Sequence, residues 1–199
     1  AFYEFEETYG NPDLRVKTIS LADDLLAIPS MDPSCGVDGM CSLQERAGML
    51  RDALRAPALV DANGYIVIPF STTAGNLSPM TYNHKIHCVE VELQGTFGGD
   101  DVARVYLRQQ GVGTIRSLSG GNQYYAFPKQ TAVVDAWIGQ KVFSDAVYQT
   151  FRFKDRPVAN TRWELVLNLL DEEDNLDLSL LEGISDLRLH LYYMDFTSY

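Results

Sequence analysis

Two stretches of strict alternation constrain this chain more than any other feature in it. In the first, Trp163, Leu165, Leu167 and Leu169 point one way while Glu164 and Asn168 point the other. In the second, Leu187, Leu189, Leu191 and Tyr193 share a face, with Asp186, Arg188, His190 and Tyr192 opposite. A period of two with one polar face belongs to strands of an antiparallel sheet that is buried on one side. The stretch from Phe151 to Phe196 therefore organises the fold, and the residues upstream pack around it.

Shorter runs extend the pattern. Phe2–Thr8 and Leu14–Leu21 read as strands separated by the Gly10-Asn11-Pro12-Asp13 turn signal. Tyr65–Phe70 follows the tight-turn pair Asn63-Gly64. Lys85–Leu93 alternates, with His87, Val89, Val91 and Leu93 against Ile86, Cys88, Glu90 and Glu92. Gly98–Asp101 reverses the chain, and Val102–Arg108 is expected to return as the paired strand of a hairpin. Gly111–Gln123, rich in Gly and Ser, reads as a mobile loop. Thr131–Ile138 shows no alternation. Val147–Lys154 reads as a strand with Phe151 and Phe153 on one face, and Asp155-Arg156-Pro157 as a loop.

Only one helix is convincing, over residues 42–56. Ser42 and Glu45 form a capping box, Leu43, Ala47, Leu50 and Leu54 recur at helical spacing, and Pro57 ends the run. Many short strands, frequent turn residues and one helix give an all-β fold, an antiparallel β-sandwich or jelly roll. Its 199 residues suit a single domain, with 1–62 a helix- and loop-containing part packed on the sandwich.

The net charge is −11, from 27 acidic and 16 basic residues, which argues against nucleic acid and anionic lipid as partners. No apolar run approaches the ~18 residues of a membrane span. The chain opens Ala1-Phe2-Tyr3-Glu4, without Met or a basic leader, as a processed product or a piece of something longer would. Cys35 and Cys41 bracket a flexible Gly-containing loop and are disulfide candidates in an oxidising compartment, free thiols otherwise; Cys88 is left over.

No motif for catalysis stands out. His84, His87 and Cys88 gather potential zinc ligands, but three positions along a strand send the two imidazoles to opposite faces. Asp171–Glu182 resembles a calcium loop, yet Leu176 occupies the sixth position, where glycine makes the sharp turn. An acidic solvated turn is the preferred reading. Ser119 lacks the glycine two residues before it that a nucleophile elbow needs, and Gly111-Val112-Gly113 is a fragment of a phosphate loop. No catalytic residue, metal site or cofactor is therefore expected. Aromatics near loops, Tyr124, Tyr125, Phe127 and Trp137, are candidates for stacking a sugar ring; Trp163 heads an inward row and is a poorer one.

Read in order, several strands resemble a known family. Tyr82-Asn83-His84-Lys85-Ile86-His87-Cys88-Val89 is similar to a strand in the C-terminal part of Tc toxin A components, with Lys85-Ile86 matching a basic-Ile pair and Val89 a valine. His87 and Cys88 stand where that family tends to have Lys and Ser. Phe151–Arg156, Trp163-Glu164-Leu165 and, most closely, Ile184-Ser185-Asp186-Leu187-Arg188-Leu189-His190-Leu191-Tyr192-Tyr193 resemble further pieces of it, over roughly Tyr65 to Thr197. The resemblance implies a β-sandwich that docks the cocoon-forming B component. It also implies a protein partner within a larger assembly, a secreted or extracellular location, and neither catalysis nor cofactor. A carbohydrate- or receptor-binding sandwich is the alternative.

Overall fold

The computed structural model describes residues 10–96, 104–139 and 145–197. The strand expected at Phe2–Thr8 and the turn at Gly98–Asp101 lie outside the described residues. Among the described residues, seven strands form one curled sheet: β1 (Asp13–Ser20), β2 (Ile66–Thr72), β3 (Thr81–Thr96), β4 (Arg104–Arg116), β5 (Asn122–Ile138), β6 (Thr161–Leu167) and β7 (Gly183–Thr197). Their lateral order is β1-β7-β3-β5-β4-β6-β2. The fold is all-β, as the alternation predicts.

Strand β5 joins the two halves of the sheet. From Asn122 to Asp135 it pairs antiparallel with β4; its last residues, Ala136–Ile138, run parallel to Val91–Leu93 of β3. Among the described residues, the other ladders are antiparallel. Val89, Val91, Leu187, Leu189 and Leu191 on one half and Ile66, Ile68, Leu107 and Leu165 on the other belong to one buried cluster. The inward rows at Trp163, Leu165 and Leu167 and at Leu187, Leu189, Leu191 and Tyr193 are buried, as a period of two requires.

Helix α1 (Leu43–Leu54) starts on the capping box, with Ser42 Oγ accepting from Glu45 N–H and the Glu45 carboxylate accepting from Ser42 N–H. Ala47, Leu50 and Leu54 are buried, whereas Leu43 at the first turn faces solvent. Cys35 and Cys41 form a disulfide, and Cys88 is a buried free thiol.

Four expectations need correction. The chain after residue 103 is not the hairpin partner of β3. Both edges of β3 are already taken, by β7 on one side and by β5, Thr150 and Pro157 on the other, so β4 pairs with β5 and β6 instead. Gly111–Gln123 is not a loose loop but the end of a hairpin, with Gly111 at positive φ beside a bulge and Ser117 N–H donating to Gly121 O.

Thr131–Ile138 does alternate. Its inward residues are Ala132, Val134 and Ala136, and the two alanines conceal the pattern because the larger Val133 faces out. Finally, Val147–Lys154 is not a strand. It touches β3 through one bridge, Val89 to Thr150, and then coils through turns closed by Lys154 N–H to Phe151 O and Arg156 N–H to Phe153 O. Phe153 is consequently buried while Phe151 is half-exposed.

Candidate functional site

The most irregular stretch of the sheet is the first third of β3, where two bulges flank Lys85. Opposite β7, Tyr82 faces Phe196 and Lys85 faces Met194, so Asn83 and His84 together oppose Asp195. Asn83 takes a left-handed φ of 56°, which its short amide tolerates better than most side chains. The second bulge leaves His87 without a partner between the pairs Ile86–Tyr193 and Cys88–Tyr192. Bulges re-aim side chains, and here they change the phase of the strand. Ile86 and Val89, three apart, both reach the core, which uninterrupted alternation forbids.

Beneath the first bulge lies a buried polar cluster. Asp195 is fully buried and accepts from Arg15 Nε–H at 2.9 and 2.8 Å on its two oxygens. His84 is buried beside it, with Nε2 2.8 Å from Thr81 Oγ1 and 3.9 Å from Asp195. Burial pushes the His84 pKa down; Asp195 opposes this, while Arg116 and Arg15 act in the same direction as burial. Burial is the largest of these influences, so the balance disfavours the protonated imidazole.

Above the bulge, Lys85 faces outward into a shallow groove made of two clefts, about 210 and 190 Å³, that share Asn83, Lys85 and Phe196. The first cleft adds Tyr82, Arg116, Gln123 and Tyr125; the second adds His87, Lys154 and Asp155. The Tyr82 and Phe196 rings stack at 5.7 Å across the strands. Arg116 Nη1 donates to the Ser78 and Thr81 carbonyls at 2.7 and 3.0 Å, which fixes the guanidinium at the rim. Lys154 and Asp155 form one wall. Ile86 N–H donates to Arg156 O and Asp155 N–H to Ile86 O, while the Arg156 guanidinium lies 4.7 Å from the centre of the Phe127 ring. Among the described residues, Lys85, Arg116 and Lys154 make no ion pair with a carboxylate.

A second polar cluster crosses the outer face of β1, β7 and β3. Thr18 Oγ1 lies 3.0 Å from His190 Nδ1, and His190 Nε2 lies 2.8 Å from Glu92 Oε2. The Trp137 ring stacks on His190 at 6.1 Å. The order of groups resembles that of a hydrolase triad, with Thr18 on the edge strand β1 opposite His190. Beside it, buried Glu90 accepts from Gln149 Nε2 and from the Tyr192 hydroxyl.

The aromatic candidates do not converge. Tyr124 and Tyr125 are neighbours on β5 and leave opposite faces of the strand. Tyr125 lines the groove with its hydroxyl donating to Gln123 Oε1, whereas Tyr124 is 73% exposed. Trp137 lies twelve residues further along β5, roughly 40 Å at strand spacing, against His190. Trp163 is in the core, donating from Nε1 to Thr72 Oγ1. In the acidic stretch, Asp171 and Asp177 accept from the backbone N–H groups of Glu173, Asn175 and Ser179, so these carboxylates shape the turn itself. Among the described residues, no three His, Cys, Asp or Glu side chains are grouped to hold a metal.

The sequence singles out Lys85 as part of a basic-Ile pair but gives no hint of the groove. Asn83, Arg116 and Gln123 pass unnoticed because a bulge has no signature in alternation. The closest signal is Arg152, Lys154 and Arg156, three cations at alternate positions in an acidic chain.

No family model matches this chain, and no curated protein matches it in sequence. Among solved structures, it is similar to a chain in the cryo-EM structure of Yersinia pseudotuberculosis TcaA-TcaB, at 14% identity and a TM-score of 0.49. The likeness covers 95% of this chain and 10% of the other, so this chain spans about a tenth of that protein's length.

Proposed function

We propose that this chain is a non-catalytic interaction domain that docks a partner protein within a toxin-complex-like assembly. The observation that carries the reading is the groove over the two bulges of β3. It is shallow and continuous, and its lining sets three cations, Lys85, Arg116 and Lys154, against one carboxylate, Asp155. Such a surface suits contact with another macromolecule better than enclosure of a small substrate. The histidines support the same reading, since His84 is sealed below the groove and both ring nitrogens of His190 are engaged across strands. The ordered resemblance of the strands to Tc toxin A components supplies the kind of assembly and, with it, a secreted location.

A carbohydrate-binding role is the second reading, favoured by the exposed Tyr124 and half-exposed Tyr125. The experiment is affinity purification with the tagged chain, followed by reconstitution from the two purified components and a parallel glycan array. A stoichiometric complex from purified partners is expected. Saturable glycan binding lost in Tyr125→Ala or Trp137→Ala, with no protein complex, contradicts the docking reading.

A further inference from the structure

We infer that the groove over the β3 bulges receives an acidic, extended polypeptide segment of the partner, an assignment that rests on the docking reading above. In a chain of net charge −11, three cations line one groove, and among the described residues none of them is paired with a carboxylate. Asp155 is the one acid in the lining, and its backbone N–H is spent on Ile86 O. Surface cations in so acidic a protein would ordinarily find a carboxylate nearby. Here Lys85 lies on the ladder opposite Met194, and the carboxylate of the next residue on β7, Asp195, is buried and taken by Arg15. A complementary negative partner gains from all three charges at once.

Shape selects a chain over a sugar. The two clefts share Asn83, Lys85 and Phe196 and so run end to end along β3 from Tyr82 to His87. That is roughly 15 Å, the length of about five extended residues. A stacked sugar needs an open aromatic face, but Tyr82 and Phe196 are more than nine-tenths buried and packed on each other, and the half-exposed Tyr125 lines only the first of the two clefts, its hydroxyl held by Gln123. Along the rest of the groove the surface carries two ammonium groups, a fixed guanidinium and the amides of Asn83 and Gln123, against the single carboxylate of Asp155. These cations and amides recognise carboxylates and peptide groups.

The test uses the whole chain and fluorescent octapeptides, one of alternating Glu and Ala and one of alternating Gln and Ala, read by anisotropy at low and high salt. The acidic peptide is expected to saturate, to weaken several-fold with salt, and to weaken at least tenfold in the Lys85→Glu/Lys154→Glu double variant. The Gln peptide is expected not to bind, and Tyr124→Ala, outside the groove, to change nothing. Amide chemical shifts should move at Asn83, Lys85 and Gln123. If the double variant loses its folded amide spectrum, Lys85→Gln serves in its place, with a several-fold loss expected. Absent binding, equal binding by the double variant, shifts confined to other surfaces, or displacement of the peptide by a uronic-acid oligosaccharide that binds more tightly each overturns the inference. If the peptide fails while a purified partner still binds wild type and double variant alike, this inference falls and the docking reading survives. If no partner binds at all, both fall.

Discussion

Arg15 on β1 binds both oxygens of Asp195 on β7 through a single Nε–H, at 2.9 and 2.8 Å, and thereby neutralises a carboxylate with no exposure to water. The pair fixes the edge strand to its neighbour and leaves Asp195 balanced beneath the first bulge of β3. Removing Arg15 strands a buried charge. A fully buried pair broken this way costs about 3–5 kcal/mol, but the Arg15 side chain is 41% exposed and water replaces part of its effect. Arg15→Ala should therefore destabilise by about 2 kcal/mol, read as a fall of several degrees in Tm. An unchanged Tm would mean that the pair contributes nothing.

His84 makes stability depend on pH. Burial, reinforced by Arg116 and Arg15, holds its folded pKa below the value of about 6.5 it has in an unfolded chain. Unfolding below that pH takes up a proton. The contribution is therefore complete above about pH 6.5 and is lost as pH falls toward the folded value. The urea midpoint should drop between pH 7 and 5.5 more steeply for wild type than for His84→Gln. Parallel profiles would remove His84 from the account.

Leu189 sits at the centre of the inward row of β7, 1% exposed. Leu189→Asp places an unpaired charge in the core at a cost of several kcal/mol, enough to unfold a marginal domain. Circular dichroism and a urea titration check it. A cooperatively folded Leu189→Asp protein would contradict the strand facing.

Glycines at the far end of the β3–β7 ladder are required by close approach. A Cβ on Gly183 would collide with the Thr96 carbonyl, and one on Gly95, already at φ 123°, with the Gly183 carbonyl. Gly183→Ala should cost about 2–3 kcal/mol by forcing the strands apart. A change in Tm below one degree would show that the ladder end adapts freely.

The disulfide between Cys35 and Cys41 closes a short loop ahead of α1. Loop-closure entropy assigns it about 2 kcal/mol. The Cys35→Ser/Cys41→Ser variant should show a Tm lowered by about 4–8 °C in oxidising buffer, and matching the wild type under reductant. Equal midpoints in oxidising buffer would mean that the bridge is not closed in solution.

What the sequence revealed and what it hid follow from the range of the interactions. Alternation at Trp163–Leu169 and Leu187–Tyr193 is local, so facing was legible, as were the capping residues Ser42 and Glu45. Partnership is not local. Nothing near Val102 announces that β3 has both edges occupied, and nothing near Thr131 shows that alanines face the core. The groove was hidden for the same reason. It arises because Asn83 adopts a left-handed φ and His84 turns inward to meet Asp195, more than a hundred residues away. In the sequence Lys85 reads only as a strand residue. The aromatic residues drew attention as a group, yet Tyr125 and Trp137 lie at opposite ends of β5.

The central claim is that this chain docks a protein through the bulged end of β3. Hydrogen–deuterium exchange of the chain, alone and bound to the partner recovered and reconstituted from purified components, tests it most directly. The account predicts added protection concentrated in residues 82–87, 113–117 and 152–157. Protection confined to the face carrying Trp137 and His190, with those three segments unchanged, would contradict it.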